Sequence, residues 1–230
     1  MDFFIISLVA MAASLLTLFS GFGLGTLLMP IVALFFPIEI AVTITAIVHF
    51  ANNAFKIFLV GKHADLAVIL KFGLPAVICA LLGALLLTNM SGSHELVSYH
   101  LLSYEFTTSV MKLVVGGLIL FLVIVELMPF FKSLAIDKKY LPLGGVISGF
   151  LGGLSGHQGA FRSMFLLKAG LSKEQFVATG VILAVLVDIN RLAVYGWHFG
   201  SSQSSVNWWL VLSACLSAFI GAYFGKKLLT

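Results

Sequence analysis

Long apolar stretches, separated by short polar ones, divide the chain into membrane-length segments. They cover about residues 2–20, 37–60, 66–88, 107–130, 172–197 and 206–228. A hydrocarbon core of ~30 Å needs about 20 apolar residues of α-helix to cross it. The pattern therefore predicts an all-α polytopic membrane protein with a single transmembrane domain.

Two glycine-rich breaks interrupt this pattern. The first reads Ser20-Gly21-Phe22-Gly23-Leu24-Gly25, and the second reads Ser155-Gly156-His157-Gln158-Gly159. Each is followed by a short apolar piece, at about 26–36 and 160–169. At a rise of 1.5 Å per residue these pieces are only about 15 Å long, too short to span a bilayer. Because freed N–H and C=O groups must find partners in lipid, such breaks indicate a functional centre.

The two breaks belong to halves that share one order of segments. Ser155 follows Ser20 by 135 residues, and the same offset aligns Pro37 with Ser172. The offset also pairs Gly21 with Gly156, Glu39 with Glu174, and Gly61 with Gly196. We therefore predict repeat 1 at about 1–90, a linking helix at about 107–130 and repeat 2 at about 140–230.

The placement of lysines predicts how the halves are oriented. The loops near 61–71 and 131–140 and the C-terminus carry lysines, whereas 89–106 and 198–207 contain neither Lys nor Arg. Basic loops stay in the cytoplasm, so we expect the N-terminus outside and the C-terminus inside. The loop at 61–71 is then inside and its equivalent at 198–207 is outside, so the repeats are predicted to be inverted. Inverted repeats are typical of alternating-access transporters whose site lies near the midplane.

Two geometries of the broken segments satisfy this orientation. In one, each repeat contains a re-entrant helical hairpin with its glycines at the tip. In the other, every piece crosses the membrane. We favour hairpins because the pieces after the breaks are short. For residues 89–106 we expect a polar loop or a short surface helix.

Composition argues against other classes of protein. The 230 residues are 60% hydrophobic and 10% charged, whereas soluble domains carry about 25% charged residues. The sequence shows no P-loop, no hydrolase elbow and no metal-binding spacing of Cys or His. We predict no enzyme activity, no cofactor, no metal and no nucleic-acid partner. The first apolar run lacks a preceding basic stretch, so we expect it in the mature protein.

The predicted hairpins would aim two helix N-termini, at Gly25 and Gly159, toward the centre of the protein. Unpaired N–H groups and the positive end of the helix dipole bind anions there. Close helix packing is the alternative reason for such glycines. The predicted substrate site comprises Ser20, Gly21, Gly23, Gly25, Asn53, Lys56, Ser155, Gly156, His157, Gln158, Gly159, Arg162 and Arg191.

Charged residues at membrane depth are functional candidates by default. Arg162 follows the second break by one helical turn, and the 135-residue offset aligns Lys56 with Arg191. Anchoring at the membrane interface is the alternative for these cations. His157 and Asp188 are candidates for proton coupling, His157 because histidine titrates near neutral pH.

The chain resembles the sulfite exporter TauE/SafE family over nearly its whole length. The resemblance rests on Ser20-Gly-Phe-Gly-Leu-Gly with Pro30, on Gly153-Leu-Ser-Gly-His-Gln-Gly159, and on the run from Gly170 to Thr179. The family's second break usually reads GLxGxGGG; here His157-Gln158-Gly159-Ala160 depart from it and Arg162 is added. The resemblance implies transport of sulfite, sulfonates or related oxyanions across the bacterial inner membrane.

These observations together predict a secondary transporter of a small sulfur oxyanion or organosulfonate in the bilayer. A passive anion or small-solute channel is one alternative. A membrane assembly subunit without transport is another. The substrate, the direction, the coupling ion and any homo-oligomer are left open by the sequence.

Overall fold

Nine α-helices account for most of the residues that the computed structural model describes, which are 2–20, 23–92, 95–101, 104–128, 134–198 and 206–229. Their bounds are α1 Asp2–Ser20, α2 Leu24–Ala33, α3 Ile38–Val60, α4 Leu66–Asn89, α5 Val110–Leu127, α6 Leu141–Ser155, α7 Gly159–Leu166, α8 Lys173–His198 and α9 Trp208–Leu229. Short 3-10 turns at Gly61–His63 and Lys138–Tyr140 precede α4 and α6.

Four helical stretches are long and apolar enough to cross a bilayer, within the described part of the chain. They are Ile38–His63, Leu66–Asn89, Lys173–His198 and Trp208–Leu228. Shorter apolar helices at Asp2–Thr17, Leu24–Ala33 and Val110–Val125 accompany them. The prediction of an all-α polytopic membrane protein is confirmed.

Local sequence signals set several helix ends where the sequence predicts them. The Ser172 hydroxyl accepts from the Gln175 N–H at 3.2 Å, and the Gln175 side chain accepts from the Ser172 N–H at 3.0 Å. This reciprocal capping box starts α8. Gly170, with φ +83°, ends the preceding segment. Pro129, Lys132 and most of the loop before α9 lie outside the described residues.

The segment after α4 differs from its prediction. Instead of a polar loop or a surface helix, it forms an antiparallel pair of strands, β1 Glu95–Leu101 and β2 Tyr104–Ser109. Alternating aromatic and β-branched side chains such as Val97, Tyr99 and Thr107 favour extended backbone. The polarity of the segment hides this pattern.

Glycines bring α4 and α6 into backbone contact. A Cβ on Gly145, Gly149 or Gly153 would collide with the backbone of Phe72, Ala76 or Ala80, respectively. The residue numbers of these contacting pairs increase together along both helices, so α4 and α6 run in the same direction. Small residues permit such close approach of helices in membranes.

A matching contact joins α1 to α9. Ser7 donates to Ser213 across 3.1 Å, and Gly221 packs on the backbone of Met11. These two helices therefore also run in the same direction. Under the 135-residue offset, α1 with α9 is the equivalent of α6 with α4.

Further contacts set the remaining directions. The helix α1 is parallel to α3, since Ser14 bonds Asn52 and Thr17 bonds Lys56. The helix α3 is antiparallel to α8, because His49 bonds Asp188 whereas Asp65, just beyond α3, bonds Thr179. Asp65, which directly precedes α4, bonds Thr179, and further along both helices Gly73 touches Leu183. The helix α8 is therefore parallel to α4 and hence to α6.

It follows that α6 runs opposite to α1, its counterpart at the 135-residue offset. The same chain of contacts makes α9 run opposite to α4. These are the directions that an inverted repeat requires, and they support that prediction.

The glycine contact between α4 and α6 generates a stability prediction. Gly149→Ala should lower the free energy of unfolding by about 1–3 kcal/mol, because its methyl group meets the backbone of Ala76 and the helices must separate. The measurement is the apparent melting temperature of purified protein in detergent, followed by size-exclusion chromatography after heating.

Gly117→Ala on α5 is the matched control, because no atom lies within 4 Å of its added Cβ in the described structure. It should melt with the wild type or slightly above it, since alanine favours helix over glycine. Equal melting of the Gly149→Ala and Gly117→Ala proteins would contradict the packing role.

Candidate functional site

The two glycine breaks meet in the interior of the protein. A Cβ on Gly25 would lie 3.3 Å from the carbonyl oxygen of Gly156, and His157 lies against the backbone of Gly25. Gly23 and Gly156 have φ of +119° and +82°, which side-chain-bearing residues rarely adopt. Glycine is therefore required at these turns both for conformation and for close approach.

This meeting bears on the geometry of the broken segments. Because α1 and α6 run in opposite directions, two complete crossings would leave the breaks at opposite faces of the membrane. The contact between Gly25 and Gly156 instead brings both to one depth. It favours re-entrant hairpins over full crossings.

A cavity of about 40 Å³ lies beside the two breaks. Its lining draws on α1, α2, α3, α7, α8 and both turns. Nine of the predicted site residues line it: Gly23, Gly25, Asn53, Lys56, Gly156, His157, Gln158, Gly159 and Arg162. Gly21 lies outside the described residues, as does the side chain of Ser20, whose backbone ends α1.

Both short helices present their N-termini to this cavity without side-chain caps. Neither Gly23, which precedes α2, nor Gln158, which precedes α7, makes a side-chain hydrogen bond to its helix. The Gln158 side chain is 1% exposed, and neither its Oε1 nor its Nε2 has a partner among the described residues. A buried amide without partners is costly, so the site has unused capacity to bind a polar ligand.

Lys56 and Arg162 bring two buried positive charges to the cavity. Lys56 is 3% exposed, and its Nζ donates to the Thr17 hydroxyl at 2.6 Å. Within the described part of the chain, no carboxylate forms an ion pair with Lys56. Arg162 is 6% exposed and close enough to Lys56 to repel it. Both cations lie inside the protein, so anchoring at the membrane surface does not explain them.

The other charged candidates, Arg191 and Asp188, lie behind the cavity wall. Arg191 Nε donates to Asp188 Oδ1 at 2.9 Å, and the guanidinium occupies the space where a side chain on Gly156 would be. Asp188 Oδ2 lies 2.6 Å from His49 Nδ1. Arg191 therefore supports the second break and is neutralised by Asp188.

Ser155 also supports the turn without lining the cavity. Its hydroxyl lies 3.0 Å from His157 Nδ1 and donates to the Leu151 carbonyl. Among the described residues, no group of three His, Cys, Asp or Glu side chains could hold a metal ion.

Several lining residues are absent from the predicted site. They include Thr17, Thr26, His49, Asn52, Ser163, Phe176 and Gly180. His49 and Asn53 are spaced by four residues and so share one helix face. That spacing could have identified His49 from the sequence. Thr17 and Phe176 reach the cavity through helix packing, which local sequence does not reveal.

Comparison with known proteins agrees with this architecture. No curated protein and no solved structure matches the chain. The family described as sulfite exporter TauE/SafE matches residues 6–230, almost the entire chain. The chain therefore belongs to the sulfite exporter TauE/SafE family of membrane transporters.

Proposed function

We propose that this protein is a secondary transporter that moves sulfite, or another small sulfur oxyanion or organosulfonate, by alternating access. Family membership implies membrane transport of the sulfite-exporter type. The cavity at the two breaks is the proposed substrate site. Its charge, its donors and its position each support this assignment.

The charge of the cavity favours an anion. Lys56 and Arg162 line it, and no carboxylate occurs among its described lining residues. A buried charge without a counter-charge is expensive at membrane depth. A bound anion would supply the counter-charge that Lys56 lacks among the described residues.

The hydrogen-bond donors of the cavity suit an oxyanion. The N-termini of α2 and α7 direct backbone N–H groups and positive dipole ends toward it. The Gln158 amide adds a side-chain donor without a described partner. Because one water needs about 10–15 Å³, a cavity of this size has room for about three water-sized groups. A sulfur atom with three oxygens is of comparable size.

The position of the cavity supports alternating access. Gly25 and Lys56 come from the proposed repeat 1, whereas Gln158 and Arg162 come from the proposed repeat 2. A rocking of one inverted repeat against the other would open such a site to each side in turn. With the lysine-bearing loops in the cytoplasm, the protein would lie in the bacterial inner membrane with its N-terminus outside.

One observation supports the proposal more strongly than the others. Two uncapped helix N-termini and two buried cations, drawn from both halves of the chain, converge on one cavity without a lining carboxylate in the described structure. A neutral solute would leave the Lys56 charge without a counter-charge among the described residues.

Arg162→Gln tests the site directly. Purified protein in liposomes loaded with sulfite should take up radiolabelled sulfite by counterflow, and the variant should do so at least about tenfold more slowly. The reason is the loss of a charge-assisted hydrogen bond to the anion, worth about 1.5–3 kcal/mol. Thiosulfate, sulfate and methanesulfonate as unlabelled competitors would rank the substrates.

Lys168→Gln is the matched control, because Lys168 lies just beyond α7 with an exposed side chain. It should retain wild-type counterflow. If Arg162→Gln and Lys168→Gln both retain wild-type counterflow, the proposed site is wrong. Wild-type flux that neither saturates nor shows counterflow would instead identify a channel.

Lys56→Met should lower sulfite transport without lowering the stability of the protein. Methionine removes a buried charge that has no described carboxylate partner, so the apparent melting temperature should stay equal or rise. Thr17 still donates to the Ser14 carbonyl at 2.8 Å and is not left without a partner. Sulfite counterflow should nevertheless fall by about tenfold or more, for the same reason as in Arg162→Gln.

The exposed Lys62 provides the comparison for Lys56, since Lys62→Met removes a charge outside the cavity. Its melting temperature and counterflow should match those of the wild type. A Lys56→Met protein that melts lower and transports normally would show that Lys56 is structural.

A further inference from the structure

His49 lies between the cavity and a fully buried carboxylate. Its ring lines the cavity, and its side chain is 12% exposed. Its Nδ1 lies 2.6 Å from Oδ2 of Asp188, whose side chain is 0% exposed. From this geometry we propose that His49, held by Asp188, binds a proton that is co-transported with the anion. The inference rests on the proposed transport function.

The surroundings of His49 define what its protonation would do. Asn53, one turn along α3, places its amide 3.2 Å from His49 Nδ1. The charged or titratable groups that face His49 from the neighbouring elements are Asp188 and Arg191 on α8, Arg162 on α7, His157 at the second break and Lys56 on α3 itself.

The charges of this group explain the coupling. When the His49 imidazole is neutral, the charges of Asp188 and Arg191 cancel. The trio of His49, Asp188 and Arg191 then carries no net charge. A proton on His49 makes the trio +1 beside the anion cavity. The proton then attracts the anion, and by reciprocity the bound anion increases the affinity of His49 for the proton. If only the empty and the doubly loaded forms change sides, the proton and the anion cross the membrane in the same direction.

His49 suits this role better than the other titratable groups of the site. Asp188 is already bonded by both His49 and Arg191 and does not line the cavity. His157 does line it, but its ring bonds Ser155 and faces the Arg191 charge without a carboxylate partner in the described structure. The pair of His49 with Asp188 combines access from the cavity with a counter-charge.

The location of the pair also provides a route for release. His49 belongs to α3 of the proposed repeat 1, and Asp188 belongs to α8 of the proposed repeat 2. A movement of one repeat against the other changes the 2.6 Å contact between them. Separation withdraws the carboxylate from the imidazolium, so the proton taken up on one side leaves to the other side with the anion.

The test uses His49→Gln in proteoliposomes and compares two measurements with radiolabelled sulfite. Net efflux into sulfite-free buffer requires the proton to bind and leave, whereas exchange at equal sulfite on both sides does not. Net efflux should fall by roughly tenfold or more, within the usual 5–150-fold range of coupling between sites. Exchange should fall much less than net efflux, because the attraction by the His49 proton is lost but Lys56 and Arg162 still bind the anion.

His63→Gln is the matched control, because His63 is exposed in the turn before α4. Both of its rates should equal those of wild type. Normal net efflux in His49→Gln overturns the proposal. Loss of exchange together with net efflux in a monodisperse variant also overturns it, since His49 would then serve anion binding or structure.

A measurement on the wild type does not depend on the variant folding. A pH gradient with its acid side outside should drive accumulation of sulfite beyond that in protein-free liposomes. No accumulation beyond that baseline, with wild-type exchange intact, rules out proton coupling. Absence of wild-type exchange itself would instead refute the proposed transport function.

Discussion

The contact between Gly25 and Gly156 is the constraint on which the rest of the structure depends. A helix that breaks inside a bilayer frees backbone groups that water cannot reach. Here the two breaks lie at the same depth and within van der Waals distance of one another. Glycine at both turns allows this approach, and the left-handed φ of Gly156 strongly favours glycine there.

The meeting of the breaks also determines how charge is buried. The Arg191 guanidinium fills the space beside Gly156, and Asp188 cancels its charge from the same helix. Lys56 occupies the equivalent position of the other half without such a partner in the described structure. The difference lies three residues earlier, where Asn53 stands in place of Asp188. One carboxylate therefore makes Arg191 a support for the turn, while Lys56 remains available to a ligand.

The sequence predicts the helices well and the site in part. Hydropathy places α1 and α8, because this signal is local. The breaks are visible because glycine-rich runs interrupt two apolar segments, and Ser20-Gly21 and Ser155-Gly156 are separated by one offset. The unequal roles of Lys56 and Arg191 are visible at the same offset, which places Asn53 before Lys56 where Asp188 stands before Arg191. The contact of His49 with Asp188 joins residues 139 positions apart and depends on the packing of α3 against α8. The polarity of the segment hides the alternation that favours the strands β1 and β2.

The division of the site between two halves has an energetic consequence. Lys56 and Arg162 belong to opposite proposed repeats and repel one another across the cavity. Without an anion, this repulsion opposes closure of one repeat on the other. With an anion between them, both cations are attracted to the anion. Closure would then become more favourable by the difference in the anion's binding free energy between the closed and open states. The substrate would then be the counter-charge that permits passage through the closed state, so an empty protein would change sides more slowly than a loaded one.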